Sequence, residues 1–175
     1  MAENKTQEIL FSREQIAQRV KELGAEITRD YKGESVLLVG ILKGSVVFMA
    51  DLMRELDLDV EIDFMIVSSY GNATKTSGEV QIRKDLDSSI EGRNVLIVED
   101  IIDSGLTLSF LKNQLSGRHP KSIKVCAFLD KPARRKVDFK GDYIGFEIED
   151  KYIIGYGLDA AQKYRQLPDI TWIKE

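Results

Sequence analysis

Apolar residues recur at helical spacing in three parts of the chain, and each part predicts a helix. Residues 12–15 form a capping box, in which Ser12 and Gln15 are placed to bond each other's backbone amides at a helix start. The residues that follow place a stripe of four on one helix face: Ile16, Val20, Leu23 and Ile27. Similar spacing over 46–56 and 106–115 predicts two further helices.

Between these helices lie short runs that are apolar almost throughout. Residues 35–42, 60–68, 94–98 and 123–129 are such runs, and each predicts a strand that is buried on both faces. Strands that alternate with helices predict an α/β fold with a central, mainly parallel sheet flanked by helices. In such sheets ligands bind beyond the carboxyl ends of the strands.

One connection differs from the others because it is long, polar and rich in small residues. The loop over 69–78 follows the second strand, and residues 80–86 alternate apolar and polar side chains, which predicts a half-exposed antiparallel return strand. The loop is either a mobile hairpin tip or a lid that closes over a reaction from which water must be excluded.

Composition narrows the classes of function. The 175 residues are 43% hydrophobic and 31% charged, as in a single soluble domain, and the net charge of −4 argues against nucleic acid as a partner. No apolar run is long enough to cross a membrane and no signal peptide begins the sequence, so we expect a cytoplasmic protein. The single histidine, His119, and the single cysteine, Cys126, cannot build a zinc cluster, and no nucleophile elbow accompanies His119. Chemistry must therefore rest on carboxylates, lysines, arginines and backbone amides.

The most informative segment follows the third buried strand. Glu99 and Asp100 come at its carboxyl end, and since neighbours on a strand point to opposite faces we do not expect both carboxylates on one side. Residues 103–107 then offer successive backbone amides, a glycine and two hydroxyls at a helix N-terminus, which favours an anion-binding cradle. Asp103 or Ser104 is alternatively a simple helix cap. Acids beside a phosphate cradle favour a ligand with both hydroxyls and phosphate, or a bridging metal such as magnesium.

Val95 to Thr107 resembles the phosphoribosyl-pyrophosphate motif of type I phosphoribosyltransferases, and the chain from about Glu34 to Glu175 resembles hypoxanthine-guanine phosphoribosyltransferases. The resemblance implies that fold, with a small hood formed largely by the C-terminal segment. It also implies one domain over 1–175, with a core at about 34–140 and a hood made mainly of 141–175 with the N-terminal region.

The resemblance assigns roles within the motif. Glu99 and Asp100 hold the ribose hydroxyls directly or through Mg²⁺, and Asp103 is the general base and acid at purine N7. The phosphate cradle consists of Asp103, Ser104, Gly105, Leu106 and Thr107, although some relatives carry lysine where this chain has Leu106.

Further roles follow elsewhere in the chain. The pyrophosphate-binding set is Leu42, Lys43 and Gly44, with a cis peptide before the lysine, together with Ser69, Tyr70 and Arg165. The purine-binding set is Lys131 at the 6-oxo group, Tyr152 as the stacking platform, Ile153 through its backbone, and Asp159, which also assists a second magnesium. Residues 134–136, Arg-Arg-Lys, are expected to form an exposed basic turn.

The implied reaction is transfer of a 5-phosphoribosyl group from its 1-pyrophosphate to N9 of hypoxanthine, guanine or both. Three alternatives remain. One is an enzyme of the same family that prefers xanthine or a pyrimidine, and another is a regulator on the same fold that binds RNA and the sugar pyrophosphate. The third, a phosphosugar-binding module without catalysis, is disfavoured by the presence of Asp103 together with the lid. The helix over 46–56 carries methionines and leucines that look exposed, which favours a homodimer or homotetramer.

Overall fold

The computed structural model describes residues 7–70 and 79–174 as nine strands, three α-helices and one short 3₁₀ helix. The helices are α1 (Arg13–Asp30), α2 (Val46–Arg54) and α3 (Leu106–Ser116), and the 3₁₀ helix spans Pro132–Arg134. The strands are β1 (Gln7–Phe11), β2 (Ser35–Ile41), β3 (Asp59–Tyr70), β4 (Glu79–Lys84), β5 (Asn94–Ile102), β6 (Ser122–Asp130), β7 (Tyr143–Glu147), β8 (Ile153–Ile154) and β9 (Ile170–Ile173).

Six strands form the main sheet in the order β4-β3-β2-β5-β6-β7. All neighbours pair in parallel except β4, which returns antiparallel to β3. This confirms the predicted α/β class and the antiparallel return strand. The carboxyl ends of β2, β5 and β6 consequently lie side by side at one edge of the sheet.

Alternation along the central strands separates two apolar layers. In β5, Leu96 and Val98 pack with α1 and α2 on one face, whereas Val95 and Ile97 pack with α3 on the other. Every residue in that run is almost completely buried, which is why the sequence is apolar throughout rather than alternating. The sheet is thus a rigid platform covered on both faces.

A second, three-stranded sheet has the order β1-β9-β8 and forms the hood. It joins the N-terminal strand to the C-terminal segment, as the resemblance implied. β7 pairs with β6 in the main sheet, so the core sheet continues to Glu147 rather than ending near residue 140.

The capping box at the start of α1 is confirmed. Gln15 N–H donates to Ser12 Oγ at 3.2 Å, and Ser12 N–H donates to Gln15 Oε1 at 2.8 Å. The stripe beginning at Ile16 is buried against the sheet.

Three expectations differ from the structure. β3 runs on to Tyr70, so Ser69 and Tyr70 belong to a strand paired with β4 rather than to the loop, because their backbones continue the antiparallel ladder. β5 likewise continues through the acids to Ile102. On α2, Met49 and Leu52 are buried against the sheet, and the large exposed apolar side chain is Val46. No helix in the described part of the chain is long and apolar enough to cross a membrane.

Candidate active site

The two acids of β5 face the same cavity. Glu99 and Asp100 both line a space of about 170 Å³ together with residues 103–105 and Thr107, which contradicts the expectation that they point to opposite sides. The cause is a slip in strand alternation: Ile101 packs in the same layer as Val98, where regular alternation would put it in the opposite one. The register with β6 is the same on both sides of Asp100, with Glu99 opposite Ala127 and Ile101 opposite Leu129, so the slip lies within β5 itself.

Burial raises the pKa of both carboxyl groups. Desolvation, followed by the charge of Asp100, raises the pKa of Glu99 well above its ordinary value. Desolvation also raises the pKa of Asp100, although the nearby positive charge of Arg165 opposes this shift. A desolvated acid pair of this kind is a ready receptor for hydroxyl groups or a cation.

Backbone contacts fix the direction of the two carboxylates. Glu99 Oε1 accepts from Asp100 N–H at 2.9 Å, and Asp100 Oδ1 accepts from Ile101 N–H at 2.7 Å. Asp100 Oδ2 faces Gly44, where an added Cβ would lie 1.8 Å from it. The loop after β2 therefore touches the acid directly, and only glycine leaves room for it.

Gly105 lies at the turn between β5 and α3, within the segment predicted to bind an anion. Gly105 has φ +80°, a conformation that favours glycine, and it is the cap of α3 without a side-chain capping bond. The N-cap position is therefore occupied by neither Asp103 nor Ser104, although Ser104 Oγ accepts from Leu106 N–H, the first amide of the helix, at 3.2 Å. The first N–H groups of a helix have no partners within the helix, so the start of α3 is suited to an anion.

The predicted pyrophosphate loop lies between β2 and α2. Its peptide bond between Leu42 and Lys43 is cis. Ser45 is buried, and its hydroxyl donates to the Ile41 carbonyl at 2.7 Å, which closes the turn. The C-terminal segment packs on this loop, since a Cβ on Gly157 would lie 2.2 Å from the Gly44 carbonyl oxygen.

Arg165 reaches the same place through the C-terminal segment. Its Nη1 donates to the Gly157 carbonyl at 2.7 Å, and its Nη2 lies 3.4 Å from Asp159 Oδ1. Gln162 accepts from both Arg165 Nη2, at 3.2 Å, and Lys43 Nζ, at 3.3 Å. Sequence reasoning missed Gln162, whose φ of +67° is unusual for a residue other than glycine. Nε of Arg165 is buried and has no partner among the described residues.

A second cavity, of about 380 Å³, lies under the hood and is lined by Lys131, Arg134, Asp150, Lys151, Tyr152, Trp172 and Ile173. Lys131 is buried, and its Nζ lies 4.0 Å from Asp103 Oδ1. The two residues lie close together because Ile102 of β5 pairs with Asp130 of β6. Asp103 comes directly after Ile102, and Lys131 comes directly after Asp130. Tyr152 leaves 51% of its surface exposed in the cavity.

The backbone of Ile153 points away from the hood sheet. Ile173 N–H donates to the Tyr152 carbonyl at 2.9 Å, which makes Ile153 and Trp172 a non-hydrogen-bonded pair. The N–H and C=O of Ile153 are thus turned away from β9. Sequence reasoning missed Trp172, whose ring centroid lies 4.1 Å from Lys151 Nζ.

Two groups of predicted residues have no described contact with the site. The side chains of Ser69 and Tyr70, and loop residues 71–78, lie outside the described residues.

Within residues 7–70 and 79–174, no three His, Cys, Asp or Glu side chains group together as a metal site. The desolvated pair of Glu99 and Asp100 nevertheless suits magnesium, which commonly takes only one or two carboxylates and completes its shell with water and phosphate oxygens.

The expectation of an exposed basic turn over 134–136 is wrong for one residue. Arg134 is exposed and pairs with Asp150 at 2.8 Å. Arg135 instead turns inward, with a side chain only 16% exposed, and pairs with Asp130. Its Nη1 donates to the Asp103 carbonyl at 2.8 Å.

Known proteins agree with this architecture. A family model described as the phosphoribosyl transferase domain matches residues 6–161. A hypoxanthine-guanine phosphoribosyltransferase of Bacillus subtilis is 53% identical over 174 residues, covering 99% of this chain and 97% of that protein. One of Streptococcus agalactiae is 50% identical, covering 100% of this chain and 97% of that protein.

Solved structures agree as well. The crystal structure of a hypoxanthine-guanine phosphoribosyltransferase from Bacillus anthracis matches with a TM-score of 0.92 and 53% identity, covering 95% of this chain and 98% of the other. The crystal structure of a hypoxanthine phosphoribosyltransferase from Staphylococcus aureus matches with a TM-score of 0.92 and 48% identity, covering 95% of this chain and 91% of the other. This chain therefore belongs to the phosphoribosyltransferase family, within its hypoxanthine-guanine group.

Proposed function

We propose that the protein transfers the 5-phosphoribosyl group from 5-phosphoribosyl 1-pyrophosphate to N9 of hypoxanthine, guanine or both. The products are the 6-oxopurine nucleotide and pyrophosphate. The observation that carries the proposal is the 4.0 Å separation of Asp103 and Lys131, at the point where the acid-lined cavity meets the hood cavity.

This pair fits one edge of a 6-oxopurine. N7 and the 6-oxo oxygen are neighbours on that edge, so Asp103 is suited to N7 while Lys131 donates to the oxygen. Adenine would present an amino donor to the Lys131 ammonium, leaving two buried donors opposed. Tyr152 supplies the stacking face, and the outward-turned backbone of Ile153 supplies hydrogen-bonding groups for the purine edge.

Asp103 is proposed as the general base. As N9 attacks C1 of the ribose, the bond from C1 to the pyrophosphate oxygen breaks, and the N7 proton passes to the Asp103 carboxylate. More than half of the Asp103 side chain is exposed in the protein without substrate. It therefore faces the space that the base must enter.

The donor sugar is proposed to lie across the acids. Glu99 and Asp100 accept from its hydroxyls, the amides of 104–107 hold its 5-phosphate, and Lys43, the amides of the Leu42–Gly44 loop and Arg165 hold its pyrophosphate. The buried, unpartnered Nε of Arg165 supports this placement. Magnesium, when bound, would neutralise charge on the pyrophosphate leaving group, and Glu99, Asp100 and Asp159 are the proposed carboxylates for it.

Ser69 and Tyr70 are proposed to begin a lid that completes the pyrophosphate site. β3 carries the backbone of both residues to the end of the sheet, with Tyr70 opposite Glu79. A lid at this point would exclude water, which otherwise hydrolyses an activated sugar.

The test combines a substrate panel with one substitution. The purified protein is incubated with the sugar pyrophosphate, magnesium and hypoxanthine, guanine, xanthine, adenine or uracil, and nucleotide formation is followed. We expect product from hypoxanthine or guanine. Product from xanthine, adenine or uracil alone would refute the substrate assignment.

Asp103→Asn should lower kcat by roughly 10²–10⁴-fold, the range for loss of a general base, with little change in nucleotide affinity. Asp57→Asn, which alters an exposed aspartate in the turn after α2, is the matched control. Undiminished turnover in Asp103→Asn would contradict its role.

Assembly and location complete the proposal. We infer that the protein is a homodimer or homotetramer. The cytoplasm is the proposed compartment, and the buried free thiol of Cys126 is compatible with a reducing environment.

A further inference from the structure

The loop after β6, residues 135–139, forms hydrogen bonds with the backbone of the phosphate cradle. Arg135 Nη1 donates to the Asp103 carbonyl at 2.8 Å, and Lys136 N–H donates to the Ser104 carbonyl at 2.9 Å. None of the residues over 135–139 lines the cavity that holds the acids and the cradle. The loop therefore contacts the cradle from the side opposite the ligand.

These two bonds set the direction of the cradle amides. In a planar trans peptide the C=O and the following N–H point in opposite directions. When Arg135 holds the Asp103 carbonyl on the outer side, the Ser104 N–H is turned toward the cavity. The bond from Lys136 to the Ser104 carbonyl acts in the same way on the Gly105 N–H.

The contact is close as well as polar. A Cβ on Gly105 would lie 3.0 Å from Arg135 Cδ, 3.1 Å from Phe139 Cβ and 3.3 Å from Val137 Cγ2. The backbone at Gly105 thus rests on this loop. Movement of the loop would move the amides that face the anion.

Arg135 is itself held in place by a shielded carboxylate. Its Nη2 pairs with Asp130, and the two side chains are only 16% and 13% exposed. The guanidinium uses one nitrogen for Asp130 and another for the Asp103 carbonyl, which a single ammonium group cannot reproduce with the same geometry. Asp130 is the last residue of β6, so the rigid sheet fixes the arginine.

We propose that Arg135 is a positioning residue that aims the backbone amides of the cradle at the 5-phosphate, without touching the ligand. This role rests on the proposed function, in which the cradle holds the phosphate. It predicts that Arg135 strengthens binding of phosphorylated ligands selectively. It should leave recognition of the base and ribose largely unchanged.

The experiment compares ligands with and without the phosphate. Dissociation constants for GMP and guanosine, and for IMP and inosine, are measured by calorimetry for the wild type, Arg135→Met and Arg135→Lys. The ratio of nucleoside to nucleotide constants reports the contribution of the phosphate. We expect Arg135→Met to reduce this ratio about 10-fold, the effect of losing one charge-assisted hydrogen bond, and Arg135→Lys to reduce it less.

Arg118 provides the matched control. Its guanidinium also makes two bonds, both of 2.8 Å, to Asp85. It lies beyond the C-terminal end of α3, whereas the cradle is at the N-terminal end. Arg118→Met and Arg118→Lys should keep the wild-type ratio, and thermal melts of every variant separate loss of folding from loss of phosphate binding.

The outcomes distinguish this proposal from the function on which it rests. If the wild type binds nucleoside and nucleotide equally, the cradle does not hold the phosphate, and both proposals are wrong. If the wild type prefers the nucleotide and folded Arg135→Met keeps the full preference, only the role of Arg135 is overturned. Should Arg135→Met not fold, Arg135→Lys decides: a wild-type ratio in that variant overturns the role.

Discussion

A single methyl group at residue 44 tests how tightly the pyrophosphate loop and the acid pair depend on each other. The Cβ of Gly44→Ala would lie 1.8 Å from Asp100 Oδ2 and 2.7 Å from its carboxyl carbon. Nonbonded heavy atoms rest at about 3.5 Å, so the carboxylate or the loop must shift by more than about 1 Å.

Rotation of the carboxylate offers little relief. Asp100 Oδ1 accepts from Ile101 N–H at 2.7 Å, so turning the group away from residue 44 sacrifices that bond. Displacement of about 1 Å at a substrate-positioning group costs about 10²-fold in rate. We therefore expect kcat/KM for the sugar pyrophosphate to fall about 100-fold, while overpacking lowers the free energy of unfolding by only about 1–3 kcal/mol.

Steady-state kinetics with varied sugar pyrophosphate, together with urea unfolding, measure the two effects separately. Gly117→Ala is the control, because Gly117 has an ordinary helical conformation and its added Cβ would lie 3.5 Å from the nearest atom. That variant should retain wild-type kinetics. A folded Gly44→Ala enzyme with wild-type kcat/KM would refute the idea that this contact sets the position of Asp100.

Two further substitutions test buried groups by their effect on stability. The Tyr31 hydroxyl is buried, and desolvation raises the pKa of Tyr31 to about 12. The folded protein therefore keeps a proton that the unfolded chain loses above pH 10. In urea unfolding, the free energy of unfolding of the wild type should fall by about 1 kcal/mol relative to that of Tyr31→Phe between pH 8 and 11. Parallel curves of unfolding free energy against pH for the two proteins would contradict this. Glu99→Gln should raise the melting temperature at pH 7, because the raised pKa of Glu99 means that the ligand-free fold loses stability as pH rises from the unfolded value toward the folded one. The same variant should lose about 10–100-fold in kcat/KM, and an unchanged melting temperature would show that the acid pair does not strain the fold.

The elements of the fold were predictable because their signals are local. The capping box at Ser12 lies wholly within four residues, and the apolar runs that form β2, β5 and β6 follow from burial on both faces of one sheet. The turn that we propose as the phosphate cradle was predictable for the same reason, since Gly105 and the start of α3 are adjacent in sequence. Its polar surroundings depend on other strands.

The acid pair illustrates what a local pattern cannot supply. Ideal alternation separates Glu99 from Asp100, yet both reach one cavity because the alternation slips between Val98 and Ile101. The layer that each of these side chains joins depends on helices and strands distant in sequence. The structure also explains the glycine at residue 44, because Gly44 lies against Asp100 and a side chain there would collide with the carboxylate.

Arg134 and Arg135 are adjacent in sequence but have different environments, and the difference comes from the tertiary structure. Both are arginines in one short basic run, so the sequence predicted a solvated basic turn for both. The 3₁₀ helix ends at Arg134, which faces solvent and Asp150, and the extended backbone of the next residue sends Arg135 beneath the cradle to Asp130 and the Asp103 carbonyl. Asp130 belongs to β6 and Asp103 follows β5, so the partners of Arg135 become neighbours only when those strands pair. An inward arginine next to an outward one is therefore a property of the sheet register, and its effect on phosphate binding follows from the tertiary structure rather than from the motif that carries the phosphate site.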